Sequence, residues 1–256
     1  MKLIISYILS YIESIGRYFM LIFDSLRFPN KIKIFHRLTM REIYDLGVNS
    51  LGLVAFLSLF MGAVLAIQMY QNFKGAAMPI PDYYVSYATK VVLVLEFSST
   101  IICIILAGKV GSFIASSIGT MRATEQIDAL EVMGVNSPNF LILPKIIASL
   151  LFYPILFMIS VIMGVGGGHL VGFVTGQWST IDFIEGLQLP FNPWFYSYSI
   201  IKMEVFAFVI ATIPAYFGYY VEGGSLEVGR SSTTAVVWTC VVIIVLNLVL
   251  TQLLLI

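Results

Sequence analysis

Five charged residues stand inside long apolar stretches, and they are the residues of this chain that could do chemistry. They are Lys90, Glu96 and Lys109 in one stretch, and Lys202 and Glu204 in another. A charge inside a bilayer costs about 3 kcal/mol or more unless it is paired or wetted, so such residues mark a pathway by default. Lys90 lies toward one end of its stretch, where a lysine can snorkel to the membrane surface, and Lys202 and Glu204 lie near the start of theirs and are interpreted as interfacial. Glu96 lies near the middle, and we interpret it as the functional carboxylate.

Motifs for hydrolysing ATP, cutting a bond or holding a metal ion are not found. Gly108-Lys109 is followed by Val110, and no glycine precedes it at the spacing of a phosphate-binding loop. Cys103 and Cys240 lie in apolar runs without metal-ligand spacing, so we interpret both as packing residues. We therefore predict no catalytic residue, no metal and no cofactor in this chain, and any energy for transport must come from a partner.

The composition is that of a membrane protein. Hydrophobic residues make up 59% and charged residues 11% of the chain, and the mean hydropathy is +0.94, far outside the range of soluble domains. The formal net charge is zero, which gives no electrostatic reason to expect nucleic acid as a partner. We predict an all-α integral membrane protein.

Residues 1–30 are predicted to form an amphipathic helix that lies on the membrane, ahead of a transmembrane domain at 31–256. Pro29-Asn30 is predicted to end this helix, and a basic run follows it. The apolar stripe of the helix comprises Ile4, Ile8, Tyr11, Ile15, Phe19, Ile22 and Leu26.

About five transmembrane helices follow, since five apolar stretches approach or exceed the roughly 20 residues that a bilayer core requires. They cover approximately residues 47–70, 83–116, 145–175, 197–221 and 234–256. Residues 71–82 are predicted as a turn-rich connection, and residues 222–233 as a short polar loop.

Small residues recur at every fourth position in three of these stretches. On a helix they form one face, which lets a second backbone approach closely. The three series are Ser58, Gly62 and Ala66; Ala107, Gly111, Ala115 and Gly119; and Gly164, Gly168, Gly172 and Gly176. From them we predict Gly111, Gly164, Gly168 and Gly172 as helix-packing residues.

Residues 122–134, between the second and third stretches, predict a short amphipathic helix. Thr124 is expected to cap its start and Gly134 to end it in a left-handed conformation. Its apolar face is predicted from Ile127, Ala129, Leu130 and Met133, and its acidic face from Glu125, Asp128 and Glu131. Anionic headgroups would repel three acids, so docking to another protein is favoured over the lipid surface. A solvated loop helix is the alternative.

The stretch GTMRATEQIDALEVMG, residues 119–134, resembles the signature of the MlaE permease family, the membrane subunits of ABC transporters that work with MCE proteins on lipids. The segment AGKVGS at 107–112 is similar to a family segment in which Lys109 stands for an arginine. Glu96 matches a family glutamate, although the arginine and proline usual beside it are absent from Leu95-Glu96-Phe97-Ser98-Ser99. Residues 227–233 match the family's second, glycine-rich motif in part.

This resemblance implies a homodimeric permease subunit that moves phospholipid or a related lipid between the inner membrane and a periplasmic MCE-protein conduit. It also implies two ABC ATPase subunits, which would hold ATP and magnesium, and a small cytoplasmic accessory subunit is a further candidate partner. In the family, residues 122–134 correspond to the coupling helix that seats in the ATPase. The implied coupling residues are Arg122, Thr124, Glu125, Gln126, Asp128, Leu130 and Glu131.

A lipid with two acyl tails needs a wide apolar cavity with few polar groups. The end of the first stretch offers such a surface, and Glu96 is predicted to meet the headgroup. The family places its lipid cavity in these regions, in two copies at the dimer centre. The predicted substrate-binding residues of the first stretch are Leu65, Ile67, Gln68, Asn72 and Phe73. The alternative is that these residues face bulk lipid and that Glu96 is a structural hydrogen-bonding group.

The distribution of lysine and arginine predicts a cytoplasmic N-terminus and coupling helix, and a C-terminus on the opposite side. The resemblance implies that the membrane is the bacterial inner membrane and that this opposite side is the periplasm. Two other classes of protein remain as alternatives. A self-sufficient secondary transporter or channel could be built around Glu96 and Lys90, and internal inverted repeats would favour it, but none is found. A membrane-bound enzyme is weakened by the missing catalytic set.

Overall fold

The computed structural model describes residues 2–27, 32–75 and 80–255, and every regular element within them is a helix. Five helical stretches are long and apolar enough to cross a membrane, and we call them the first to fifth spans. They are Ile32–Lys74, Tyr83–Ala123, Ser137–Thr175, Pro193–Tyr219 and Ser225–Leu255. The prediction of an all-α membrane protein with about five transmembrane helices is confirmed.

Helix α1 (Lys2–Ser25) precedes the spans. The first span comprises α2 (Ile32–Glu42), a π-helical segment (Ile43–Val48) and α3 (Asn49–Lys74). The second comprises α4 (Tyr83–Val92), a π-helical segment (Leu93–Ile101), α5 (Ile102–Leu106), a second π-helical segment (Ala107–Gly111) and α6 (Ser112–Ala123). Then follow α7 (Gln126–Val132), the third span with α8 (Ser137–Leu141) and α9 (Leu143–Thr175), the short α10 (Thr180–Gln188), the fourth span α11 (Pro193–Tyr219) and the fifth span α12 (Ser225–Leu255).

Several predicted span boundaries differ from the structure. The second span ends at Ala123 rather than near residue 116, and the third begins at Ser137 rather than near residue 145. The first span begins at Ile32, so the described part of the basic run lies on a helix, and it ends at Lys74 rather than near residue 70. The fifth span begins at Ser225, which leaves only residues 222–224 of the predicted polar loop outside a helix. Charged residues can extend a helix that an apolar span has already nucleated. Gly223, with a φ of +111°, lies in the break between the fourth and fifth spans. The predicted helix end at Pro29-Asn30 and most of the 71–82 connection fall outside the described residues.

Within residues 12–25, whose side chains the structure describes, helix α1 contacts the protein along a narrow side. The hydroxyl of Tyr18 hydrogen-bonds that of Thr212 at 2.8 Å, and burial raises the pKa of Tyr18. Of the predicted apolar stripe, Ile22 is buried, but Ile15, Phe19 and Leu26 are exposed. The stripe is thus wider than the protein contact, and its remainder is apolar surface of the kind that interfacial helices bury in lipid.

The chain divides into two compact units. Unit 1 consists of Met1–Leu46, Leu106–Leu150 and Ala207–Val242, and unit 2 consists of Gly47–Ile105, Leu151–Phe206 and Ile243–Ile256. The predicted boundary at residue 30 stays a prediction.

In unit 2, α3 and α9 approach each other through glycine. A Cβ atom built on Gly62 would lie 1.9 Å from the carbonyl oxygen of Gly164, and one on Gly167 would lie 1.8 Å from that of Leu59. Hydroxyl groups continue the contact, because Ser58 donates to Ser160 at 2.8 Å and Ser160 donates to Ser98 at 2.9 Å. The buried residues of α3 recur every fourth position, at Ser50, Val54, Ser58, Gly62, Ala66 and Tyr70.

The glycine ridge of α9, which comprises Gly164, Gly168 and Gly172, continues toward the aromatic cluster of Tyr70, Trp178 and Phe183. A Cβ on Gly168 would lie 3.2 Å from Phe183 Cζ, and one on Gly172 would lie 1.9 Å from Trp178 Nε1. Gly176 does not extend the ridge, because α9 ends at Thr175 and Gly176 has a φ of +64°.

In unit 1, the small-residue face of the second span packs against α11 and the start of α12. A Cβ on Gly111 would lie 3.2 Å from Pro214 Cγ, and one on Gly119 would lie 3.0 Å from Val228 Cγ1. On α11, a Cβ built on Gly218 would lie 2.6 Å from the carbonyl oxygen of Ala115.

Candidate functional site

Glu96 lies in the π-helical segment Leu93–Ile101. Such segments are rare and frequently mark functional positions in helices. This one carries three consecutive hydroxyl residues, and Ser99 donates to the carbonyl oxygen of Leu95 at 2.9 Å, which binds a backbone group within the widened turn. The hydropathy of the stretch gave no signal for this geometry, since π-helical and α-helical turns share the same apolar composition.

Lys202 on α11 is the charged partner of Glu96. Its side chain is 0% exposed, and its Nζ lies 3.1 Å from Glu96 Oε1. The same ammonium donates to the carbonyl oxygen of Leu95 and to the hydroxyl of Tyr198, both at 3.1 Å. A buried ammonium needs such compensation, because an unpaired charge in an apolar interior is strongly unfavourable. The prediction that Lys202 lies at the membrane interface is therefore wrong. The absence of the arginine usual beside Glu96 was the one sequence feature that indicated a need for another cationic partner.

Helix α12 completes this polar cluster. Asn247 Nδ2 lies 3.4 Å from Glu96 Oε2. The hydroxyl of Thr100 is within reach of Glu96 Oε2 at 3.1 Å and of Asn247 Oδ1 at 3.0 Å, and it can donate to one of them at a time. The side chain of Glu96 keeps 44% of its surface exposed. The cluster thus presents a half-exposed carboxylate that is held from behind by a buried cation.

Lys90 belongs to a different arrangement. Its Nζ donates to the carbonyl oxygen of Leu187 at 2.8 Å, at the C-terminal end of α10, and lies 4.9 Å from the centroid of the Phe191 ring. A cation at this position satisfies carbonyl groups that have no partner within the helix. The residue is buried, so the prediction that it snorkels to the membrane surface is wrong.

The predicted lipid-contacting residues of α3 separate into two groups. Ile67 and Phe73 pack in part against the aromatic cluster around Tyr70, Trp178 and Phe183. Leu65, Gln68 and Asn72 follow the spacing i, i+3 and i+7 and share one side of the helix, on which Leu65 is partly exposed and the two amides are exposed. The described hydrogen bonds of Glu96 come from its own helix, α11 and α12, and they do not join it to this side of α3.

The segment predicted as a coupling helix is helical over Gln126–Val132. Thr124 does not cap it, because its hydroxyl donates back to the carbonyl oxygen of Thr120 at 2.8 Å, and Glu125 occupies the cap position with a φ of +59°. The predicted end is confirmed. Gly134 has a φ of +73° and donates to the carbonyl oxygen of Glu131 at 2.9 Å, while Val135 donates to that of Leu130 at 3.0 Å. These two bonds form a Schellman motif.

Two acids of this segment are bound within the chain. Arg122 donates to Asp128 at 2.6 Å. Glu131 Oε1 accepts hydrogen bonds from Ser137 and from Tyr219, both at 2.9 Å. Since these partners stand at the end of the second span, the start of the third and the end of the fourth, α7 is tied to all three.

The surface that the segment leaves free is mixed and includes two large apolar side chains. Val132 is 89% exposed and Met133 is 67% exposed, whereas Ile127 is fully buried. Glu125 and Gln126 are exposed beside them. The prediction that Met133 shares a face with Ile127 is therefore wrong, because the seven-residue helix is oriented by its ties through Asp128 and Glu131 rather than by its hydrophobicity alone.

Five apolar helices with a charged pair among them define a multi-pass membrane protein that carries functional groups inside its spans. Residues 39–253 match the family described as Permease MlaE, and the chain belongs to this family. The resemblance of the 119–134 signature is thereby confirmed.

Several curated proteins are similar over most of their length. The chain is 34% identical to "Probable ABC transporter permease protein" of Rickettsia bellii, with 94% of this chain and 92% of the relative covered. It is 30% identical to "Protein TRIGALACTOSYLDIACYLGLYCEROL 1, chloroplastic" of Arabidopsis thaliana, with 87% and 63% covered. It is 27% identical to "Intermembrane phospholipid transport system permease protein MlaE" of Haemophilus influenzae, with 95% and 93% covered.

Proposed function

We propose that this chain is the permease subunit of an ABC transporter that moves phospholipid, or a related lipid, between the inner membrane and an MCE-protein conduit. Membership of the MlaE permease family supports a transport role, and the Haemophilus relative is named for phospholipid transport. The observation that carries the proposal is the half-exposed carboxylate of Glu96, held by a buried lysine among apolar helices.

The chemistry of Glu96 suits a lipid headgroup. Lys202 and Asn247 bind the carboxylate on the protein side, and its exposed part is free to accept hydrogen bonds from a hydroxyl or ammonium of a headgroup. The pair carries no net charge, so it does not by itself select strongly for one headgroup charge. The partly exposed Leu65 and the amides Gln68 and Asn72 would contribute a second, mixed surface on α3.

Energy would come from a partner ATPase, which would hold ATP and magnesium, and the chain itself would be non-catalytic. The exposed surface formed by Glu125, Gln126, Val132 and Met133 is the candidate docking surface for that ATPase. Arg122, Asp128 and Glu131 would pass movement of the docked segment to the second, third and fourth spans. The proposal includes a homodimer, a periplasmic MCE protein and a small cytoplasmic accessory subunit as partners.

Purification of the native complex through a tag on this chain tests the proposal. An ATPase, an MCE protein and phospholipid should purify with it, and transfer of fluorescent phospholipid by the reconstituted complex should require ATP. Transfer by this chain alone, driven by an ion gradient, would instead establish the self-sufficient secondary transporter.

A further inference from the structure

The helix α2 carries a stripe of three cations that neither the lipid pathway nor the ATPase surface uses. Lys33, Arg37 and Arg41 stand at intervals of four residues and are all exposed. An open groove of about 510 Å³ runs along them and is lined by Lys33, Ile34, Arg37, Leu38 and Arg41. On a helix this spacing places the three charges on one side.

These charges are weakly compensated within the described part of the chain. Arg41 lies 3.8 Å from Asp45, at the long end of ion-pair distances, and its side chain is 81% exposed. The other acid nearby, Glu42, is bound by Lys145 at 2.6 Å. No ion pair between described residues involves Lys33 or Arg37, so the stripe keeps a net positive charge.

The stripe lies close to the predicted membrane boundary. Helix α2 continues through the π-helical segment into α3 without a break, and the apolar stretch begins near Gly47. At about 1.5 Å per residue, Arg41 stands roughly 9 Å along the helix from Gly47. The headgroup region of one leaflet is roughly 5 to 8 Å thick, so Arg41 lies at its outer edge. Arg37 and Lys33 stand roughly 15 Å and 21 Å along the helix from Gly47, and their long side chains would have to extend back toward the phosphates.

Large apolar side chains are exposed beside the cations. They are Ile32, Ile34, Met40 and Tyr44. A surface that mixes cations with exposed apolar groups matches the boundary between headgroups and acyl chains. Arginine also binds phosphate oxygens with two parallel hydrogen bonds.

We propose that Lys33, Arg37 and Arg41 form a binding site for the phosphate of an anionic phospholipid at the membrane surface. This lipid is a resident ligand of α2 rather than the transported substrate, so the proposal does not depend on the proposed function. It predicts that the permease retains anionic phospholipid at this helix in preference to zwitterionic phospholipid.

The test places a photoreactive amino acid at Ile34 of the full-length chain, in vesicles of phosphatidylcholine with or without phosphatidylglycerol. Cross-linked phosphatidylglycerol should be recovered on the α2 peptide, while the same probe at Val245 on α12 should capture both lipids without preference. Each neutralised cation should weaken capture about fivefold, since a basic residue near an anionic surface contributes about 1 kcal/mol. Lys33→Gln, Arg37→Gln and Arg41→Gln together should reduce it on the order of 100-fold.

A charge-preserving variant is the matched control. Lys33→Arg, Arg37→Lys and Arg41→Lys together should retain capture within about twofold, because the charge pattern is kept. If the triple glutamine variant inserts poorly, Arg37→Gln alone should still give the fivefold loss. Equal capture of phosphatidylcholine, unchanged capture in Arg37→Gln, or cross-linking of Ile34 to a protein subunit would overturn the proposal.

Discussion

Glu96 and Lys202, the two residues of the charged pair, differ in how far their side chains are exposed. The carboxylate is half exposed and the ammonium is fully buried. Water or a headgroup can therefore compensate the glutamate when the lysine is lost, whereas the buried lysine keeps only the Leu95 carbonyl and the Tyr198 hydroxyl when the glutamate is lost. This difference gives the two partners distinct mutational signatures.

We predict that Glu96→Ala destabilises the protein more than Lys202→Met does. The first variant leaves a buried ammonium with only the Leu95 carbonyl and the Tyr198 hydroxyl, which should cost about 3 kcal/mol. The second replaces the lysine by an apolar side chain of similar length and should cost about 1 kcal/mol or less. Unfolding of the detergent-solubilised protein measures both. A larger loss for Lys202→Met would contradict this arrangement, and combining the two substitutions should recover stability without restoring transport.

A second prediction at this scale concerns the mixed surface of α3. A photoreactive group at Leu65 or Gln68 should capture phospholipid above the level found at Val245, which is exposed on α12. Leu65→Arg should abolish transport, because it places a charge on the proposed lipid-contacting surface. It should leave the purified complex intact, because Leu65 is partly exposed rather than buried. Equal capture at all three positions would remove the case for a dedicated surface.

Among the elements, the crossing of α3 and α9 depends on the absence of side chains. We predict that Gly167→Ala destabilises the protein by about 2 kcal/mol, as overpacking in a tight contact does, because its Cβ would lie 1.8 Å from a backbone oxygen. The adjacent Gly166→Ala is the matched control. No atom lies within 4 Å of its Cβ position, so it should be neutral or slightly stabilising. Equal thermal stability of the two variants would show that the helices do not meet as described.

Substitutions in and beside helix α7 should distinguish binding of the ATPase from coupling of ATP hydrolysis to lipid transport. Met133→Asp should weaken co-purification of the ATPase at least tenfold, since it places a charge on the exposed apolar surface. Tyr219→Phe removes only the hydroxyl that donates to Glu131. It should leave ATPase binding unchanged and lower the amount of lipid moved per ATP hydrolysed. Loss of ATPase binding in Tyr219→Phe would instead place Glu131 in the docking surface.

For the whole molecule, the excess of basic residues on one side of the five spans predicts the orientation. With Cys103 and Cys240 replaced by alanine, a cysteine at Ser225 should react only with a reagent added from the cytoplasm. A cysteine at Gln252, near the other end of α12, should react only from the periplasm. The opposite pattern would invert the topology and place the α7 surface out of reach of a cytoplasmic ATPase.

Local properties of the chain were enough to predict much of this molecule. The number of spans follows from the length of apolar runs, the close helix contacts follow from small residues at every fourth position, and the end of α7 at Gly134 follows from one glycine. Each depends on neighbours within a few turns, and in a bilayer the backbone must hydrogen-bond within its own helix. Sequence alone therefore determined the helices and many of their packing faces.

Partner choice was decided by tertiary structure. Lys202 reaches Glu96 across 106 residues of sequence, Lys90 binds carbonyl groups of α10, and the hydroxyl of Tyr219 donates to Glu131 across 88 residues. No periodicity encodes these contacts, because each depends on which helices approach and at what rotation. A buried charge needs a partner, and the hydropathy profile shows which charges lie in apolar stretches but not which side chains pair with them. Only the packed helices supply the answer.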